Sequence, residues 1–234
     1  MKPFKISCIL ILSLFYFQTI YAQLETKLEF IFANLKGNSA FNTNNNSISS
    51  ELGFGLSLGY QLAIAKNKIF SIQPEVHVNF KMVNFDIVKY ETSPIILTRY
   101  LKGSTEIDNI DAHLLFRYNL ASKKDSKIYF LGGPFYSFLF GGNTGGAASK
   151  NAVPNTNSVL STNIPYTANF SGNNFGFTLG IGTNLKLPKG SIVIDARFNK
   201  GLTNVYNSSI LKTSSDEQLF LQWFSLGVGY QFNF

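Results

Sequence analysis

The chain has 234 residues, with 20 Lys/Arg against 13 Asp/Glu and a formal net charge of +7. Charged residues are 14% of it and aromatics 15%, whereas soluble globular chains carry about 25% charged residues. No basic run is long enough for nucleic acid, and past the leader no apolar run reaches the roughly 18 residues of a membrane helix.

The N-terminus reads as a processing signal. Lys2 and Lys5 precede a mostly apolar stretch over 6–17, and Ile20-Tyr21-Ala22-Gln23 places cleavage after Ala22. Residues 1–22 are thus expected to be a signal peptide and 23–234 a single mature domain. Cys8, the sole cysteine, leaves with the leader, so the mature chain has no disulfide and no thiol chemistry. Lys2 and Lys5 leave too, which lowers the net charge to +5 from eighteen Lys/Arg against thirteen Asp/Glu.

Eight segments with strand character follow: 24–35, 52–63, 69–82, 105–120, 127–140, 174–187, 191–206 and 219–234. The second alternates cleanly, with Leu52, Phe54, Leu56, Leu58, Tyr60 and Leu62 opposite Gly53, Gly55, Ser57, Gly59 and Gln61. In the sixth, Phe175, Phe177, Leu179 and Ile181 oppose Gly176, Thr178, Gly180 and Gly182. The last sets Phe224, Leu226, Val228, Tyr230, Phe232 and Phe234 against Ser225, Gly227, Gly229, Gln231 and Asn233. The first and fifth segments are blurred. Connections alternate between short (64–68, 121–126, 188–190) and long (36–51, 83–104, 141–173, 207–218), the long ones rich in Asn, Ser, Thr and Gly. This pattern predicts an all-β, eight-stranded antiparallel up-and-down transmembrane barrel, with short turns in the periplasm and long loops outside.

Volume decides which face points out. An eight-stranded interior is just wide enough to be filled by side chains. Five or six large apolar residues per strand would overfill it, so the apolar face turns outward, where lipid makes that favourable. Closure also pairs every strand edge, as hydrocarbon requires. The same logic puts Lys27, Glu29, Glu75, His77, Asp111, His113, Arg117, Asp195 and Arg197 in the lumen as a polar plug of mixed sign.

Candidate chemistry is sparse. Gly55-Leu56-Ser57-Leu58-Gly59 matches a nucleophile elbow, but no helix follows the strand that holds it. A Ser57–His77–Asp111 relay is geometrically conceivable, yet a filled lumen admits no substrate. His77 and His113 with Glu75 and Asp111 have metal-ligand chemistry, and a hydrogen-bonded network is the plainer account. Gly180-Ile181-Gly182 lacks the following helix of a dinucleotide loop. Lys66, Lys68, Lys123, Lys124, Lys127 and Lys189 sit in the short turns with Asp125; headgroup contact and ordinary solvation suit them equally. The loop 141–173 carries one charge, Lys150, and suits surface binding and plain solvation equally. No catalytic residue, cofactor or metal is assigned.

Four runs in order carry a family resemblance: Ile72-Gln73-Pro74-Glu75, Gly132-Gly133-Pro134, Arg197-Phe198-Asn199-Lys200-Gly201-Leu202-Thr203-Asn204 and Ser225-Leu226-Gly227-Val228-Gly229-Tyr230. The chain resembles PorT-like outer-membrane β-barrel proteins over essentially its whole mature length. The resemblance implies an eight-stranded barrel in the outer membrane, inserted by the outer-membrane assembly machinery, and a namesake active in protein secretion. The leading expectation is a non-enzymatic integral barrel with a plugged lumen that scaffolds extracellular loops for surface or partner interaction in contact with outer-membrane lipid. The alternatives are a component of a secretion or transport assembly, with secretion or envelope proteins as partners, and a lipid or peptide hydrolase.

Overall fold

The computed structural model describes residues 22–37, 47–64, 69–92, 96–120, 126–151, 159–165, 172–205 and 218–233. The expected leader up to residue 21, Phe234, and the turn residues Lys66, Lys68, Lys123, Lys124 and Asp125 lie outside them.

Ten strands are described: β1 (Ala22–Gly37), β2 (Ser47–Ala63), β3 (Phe70–Thr92), β4 (Ile96–Asn119), β5 (Ser126–Gly141), β6 (Asn143–Asn151), β7 (Val159–Pro165), β8 (Asn173–Leu187), β9 (Gly190–Asn204) and β10 (Leu219–Asn233). Every pairing is antiparallel. Eight of them close a ring in the order β1-β2-β3-β4-β5-β8-β9-β10, and β10 returns to β1 through the register Gln23↔Asn233 to Gly37↔Leu219. The expected all-β, eight-stranded antiparallel barrel is therefore what the chain forms.

Two of the expected loops are largely strand. The connection 83–104 continues β3 and β4 as a paired ladder from Val83↔Thr105 to Thr92↔Ile96. Within 141–173, β6 runs beside the far half of β4 (Thr105↔Thr144 to Thr98↔Asn151), and β7 pairs with β6. These pairings satisfy backbone groups that a bare loop would leave to water. Gly142, between β5 and β6, has φ 131°. That conformation suits glycine, and it lets one long strand leave the barrel wall and follow β4 outward. A four-stranded extension, β3-β4-β6-β7, thus projects past the end of the barrel where the long connections lie.

Burial alternates along most of the described length of the barrel strands, less regularly in the last half of β8. Outward positions include Leu28, Phe30 and Phe32 of β1, Phe54, Leu56 and Leu58 of β2, and Phe224, Leu226, Val228 and Phe232 of β10. Leu56 is 62% exposed, an arrangement that water opposes and lipid favours.

The lumen departs from the expected uniformly polar filling. Its half nearest the long connections holds a large apolar cluster: Ile31, Ala33, Leu35, Val83, Ile107, Phe135, Leu139, Val205, Leu219, Leu221 and Trp223 pack together there, with buried polar side chains such as Thr105, Ser137 and Asn174 among the same strands. A second small cluster, Leu115, Tyr129, Leu131 and Val193, lines the wall lower down. The first and fifth segments were blurred for this reason. Ile31, Ala33 and Leu35 point in while Phe30 and Phe32 point out, so apolar residues occupy both faces and the alternation vanishes.

Candidate functional site

The strand register builds the polar layer. Ser57 opposes His77, Gly59 opposes Glu75, His77 opposes Asp111, and Glu75 opposes His113. On the far wall Gly227 opposes Asp195 and Ser225 opposes Arg197. The glycines leave the volume that the long side chains fill. A Cβ at Gly59 would lie 2.9 Å from Glu75 Cγ, and one at Gly227 would lie 2.7 Å from Asp195 Oδ1.

Lys27, Glu29, Glu75, His77, Asp111, His113, Arg117, Asp195 and Arg197 all point inward, none more than 5% exposed. Lys27 Nζ lies 3.0 Å from each of Glu25 Oε1, Glu75 Oε1 and Asp195 Oδ2. Arg197 Nη2 donates to Glu75 Oε1 (3.1 Å) and Asp195 Oδ2 (2.8 Å), and Nη1 also bonds Glu75. Glu75 therefore ties β1, β3 and β9 together across the lumen. His77 Nε2 is 2.8 Å from Glu75 Oε2, and its Nδ1 is 3.2 Å from Glu29 Oε1. The ring of His113 lies 4.3 Å from that of His77, and its Nδ1 lies 3.0 Å from Thr178 Oγ1.

Several members went unnamed in the sequence reading. Glu25 lies one inward step below Lys27. Lys81 lies two inward steps beyond His77, bonds Asp111 Oδ2 (3.1 Å) and Asn109 Oδ1 (2.8 Å), and sits 3.6 Å over the Trp223 ring. Arg117, already expected in the lumen, stacks 3.5 Å over Tyr129 and donates to Asn184 Oδ1 and Asn119 Oδ1, both at 3.0 Å. Amides complete the lower layer: Asn184 donates to Gln231 Oε1, Gln231 to Gln61 Oε1, and Gln61 to Ser71 Oγ. Strand parity alone would have found Glu25 and Lys81. The amides carry no charge to draw attention to them.

This arrangement performs structure better than chemistry. Ser57, His77 and Asp111 stand in adjacent register, but Ser57 Oγ has no hydrogen-bond partner and His77 is engaged by Glu75 and Glu29. Asp111 is occupied by Asn79, Lys81 and Asn109. No base is poised on the serine. Among the described residues no group of three or more His, Cys, Asp or Glu side chains is arranged to hold a metal ion. A buried charge layer of both signs, bonded strand to strand and capped by an apolar layer, defines a closed-lumen barrel with a lipid-type outer surface.

The chain belongs to the outer membrane protein beta-barrel domain family, whose profile matches residues 16–207. No curated protein sequence matches it. Among solved structures it is similar to Neisserial surface protein A (12% identity over 90% of this chain and 97% of that one, TM-score 0.44). It is also similar to OprG of Pseudomonas aeruginosa (13%, 92% and 97%, 0.47) and to Ail, the attachment invasion locus protein of Yersinia pestis (13%, 91% and 100%, 0.37).

Proposed function

We propose that this outer membrane barrel is a non-enzymatic scaffold whose sealed lumen holds its shape and whose projecting strands and loops engage a partner outside the cell. The observation that carries this reading is the pairing of a filled lumen with an asymmetric wall. β3 and β4 have 23 and 24 residues, while β8, β9 and β10 have 15 each. At about 3.4 Å per residue, the longer strands reach well beyond the hydrocarbon zone, where lipid gives no reason to extend them. Beyond Asp86, β3 has β4 as its only strand neighbour among the described residues, and β7 has only β6. Such edges offer backbone groups to a partner strand.

The purified barrel is expected to give no ion conductance in planar bilayers. Replacing 87–100 by a tight turn should leave insertion intact and abolish capture of an outer partner in crosslinking from whole cells. Stable channels, or unchanged capture, would overturn the reading. Protease applied to intact cells should cut the extension and spare the short turns.

The PorT-like runs favour a second reading, a place in a secretion or transport assembly. Crosslinking and pulldown from outer membranes separates the two. A secretion component returns its machinery at fixed stoichiometry; a surface scaffold returns none.

A further inference from the structure

The outer wall changes character abruptly on one side. The outward row Phe32–Phe224–Phe198–Leu179 is wholly apolar, by the registers Phe32↔Phe224, Phe224↔Phe198 and Leu179↔Phe198. One step nearer the long connections, the row reads Asn34–Gln222–Lys200, and the next brings Lys36 beside Phe220. The hydrocarbon boundary therefore falls between these rows on the β1-β10-β9 face.

The ladder also opens there. Phe220 pairs with Asn204 and Gln222 with Lys200, so Gly201, Leu202 and Thr203 of β9 face the single residue Leu221 of β10. The excess bulges, and Leu202 and Thr203 are both exposed. The result is a concavity of about 370 Å³ lined by Lys36, Gly37, Lys200, Gly201, Leu202, Phe220 and Gln222. Both lysines are exposed, and neither side-chain ammonium has an ion-pair or hydrogen-bond partner among the described residues.

We propose that this concavity binds the phosphate-bearing headgroup of a lipid of the adjoining leaflet, with Lys36 and Lys200 on the phosphate, Gln222 donating to the headgroup, and Leu202 and Phe220 against the first carbons of an acyl chain. A dissolved anion would use the lysines alone. A lipid uses the apolar wall as well, and it arrives already confined to this depth. The site rests on the membrane-barrel reading, but it differs from the described turn lysines, Lys127 and Lys189, which lie at the opposite end of their strands.

The test uses the full mature barrel in uncharged detergent micelles, titrated with lipid A. Lysines at a membrane surface contribute enough that K36Q/K200Q should weaken binding about thirtyfold. Lys189→Gln, at the other end, should leave it unchanged, and inorganic phosphate should not compete. Equal binding by K36Q/K200Q, equal loss in Lys189→Gln, or displacement by inorganic phosphate would each overturn the proposal. Heat-dependent mobility on gels confirms that each variant still forms the barrel, so loss of the site is distinguishable from loss of the fold.

Discussion

Glu75 shows what a charge costs and contributes inside this barrel. It accepts from Lys27, Arg197 and Gln73 and faces His77, so its removal leaves two buried cations to share Asp195, with Glu25 on Lys27 alone. Breaking one side of a buried ion pair typically costs about 3–5 kcal/mol. Glu75→Ala should lower stability by that amount, read from urea unfolding in lipid vesicles. If the loss stayed below about 1 kcal/mol, the network would be decorative. Trp223 plays the equivalent part in the apolar layer, packed edge-on to Phe135 at 5.0 Å and under Lys81. Trp223→Ala should cost about 3–5 kcal/mol through cavity formation and leave the Lys81 ammonium without its aromatic face. The same assay reads it, and an unchanged midpoint would show that the outer layer is loosely packed. At this scale the sequence was partly legible. Parity put Lys27, Glu75 and Arg197 on the inward face because charges stand out on an alternating strand. Trp223 and Leu221 did not stand out, because an apolar residue looks the same whether lipid or a lumen plug surrounds it.

At the scale of elements, strand character located all eight barrel strands, cleanly where one face is apolar and the other small or polar, and with blurred alternation in the first and fifth. It failed for the extension, where no lipid imposes a pattern. Gly-Gly-Ala-Ala at 145–148 has little strand character of its own, and its partner on β4 is some forty residues away, while 159–165 has β6 for its partner. The register with 98–105 makes β6 a strand, and β6 then pairs β7. Gly142 is the hinge of this arrangement, and its φ of 131° is one that side-chain-bearing residues rarely adopt. Gly142→Val should cost about 1–3 kcal/mol of local strain and be felt in the extension, not in the ring. Limited proteolysis should then cut within 143–165 faster than in the unaltered protein, while heat-dependent gel mobility stays the same. Equal protection of 143–165 would show that β6 does not depend on that backbone turn.

For the whole molecule, the decisive question is which solvent meets the outward face. A water-soluble barrel and a membrane barrel can share strand number, register and a filled interior, and they differ in what an exposed position tolerates. Leu56 is the sharpest probe. It is 62% exposed and lies in the row Leu28–Leu56–Val78, between the rows Phe30–Phe54–Phe80 and Thr26–Leu58–Val76. In water, Leu56→Arg would be near neutral, because an exposed site accepts a charge freely. In a bilayer, arginine near the midplane costs about 2–4 kcal/mol, falling to about 0–1 kcal/mol near the interfaces. Leu187, at the turn end of β8 beside Pro188, supplies the comparison. Leu56→Arg should therefore destabilise the barrel in phospholipid vesicles by about 2–4 kcal/mol, and Leu187→Arg by less than about 1 kcal/mol. The difference between the two matters more than either value, because it cancels any effect of arginine on the unfolded chain. Equal and small penalties would place the outward face in water and remove the reason for its composition.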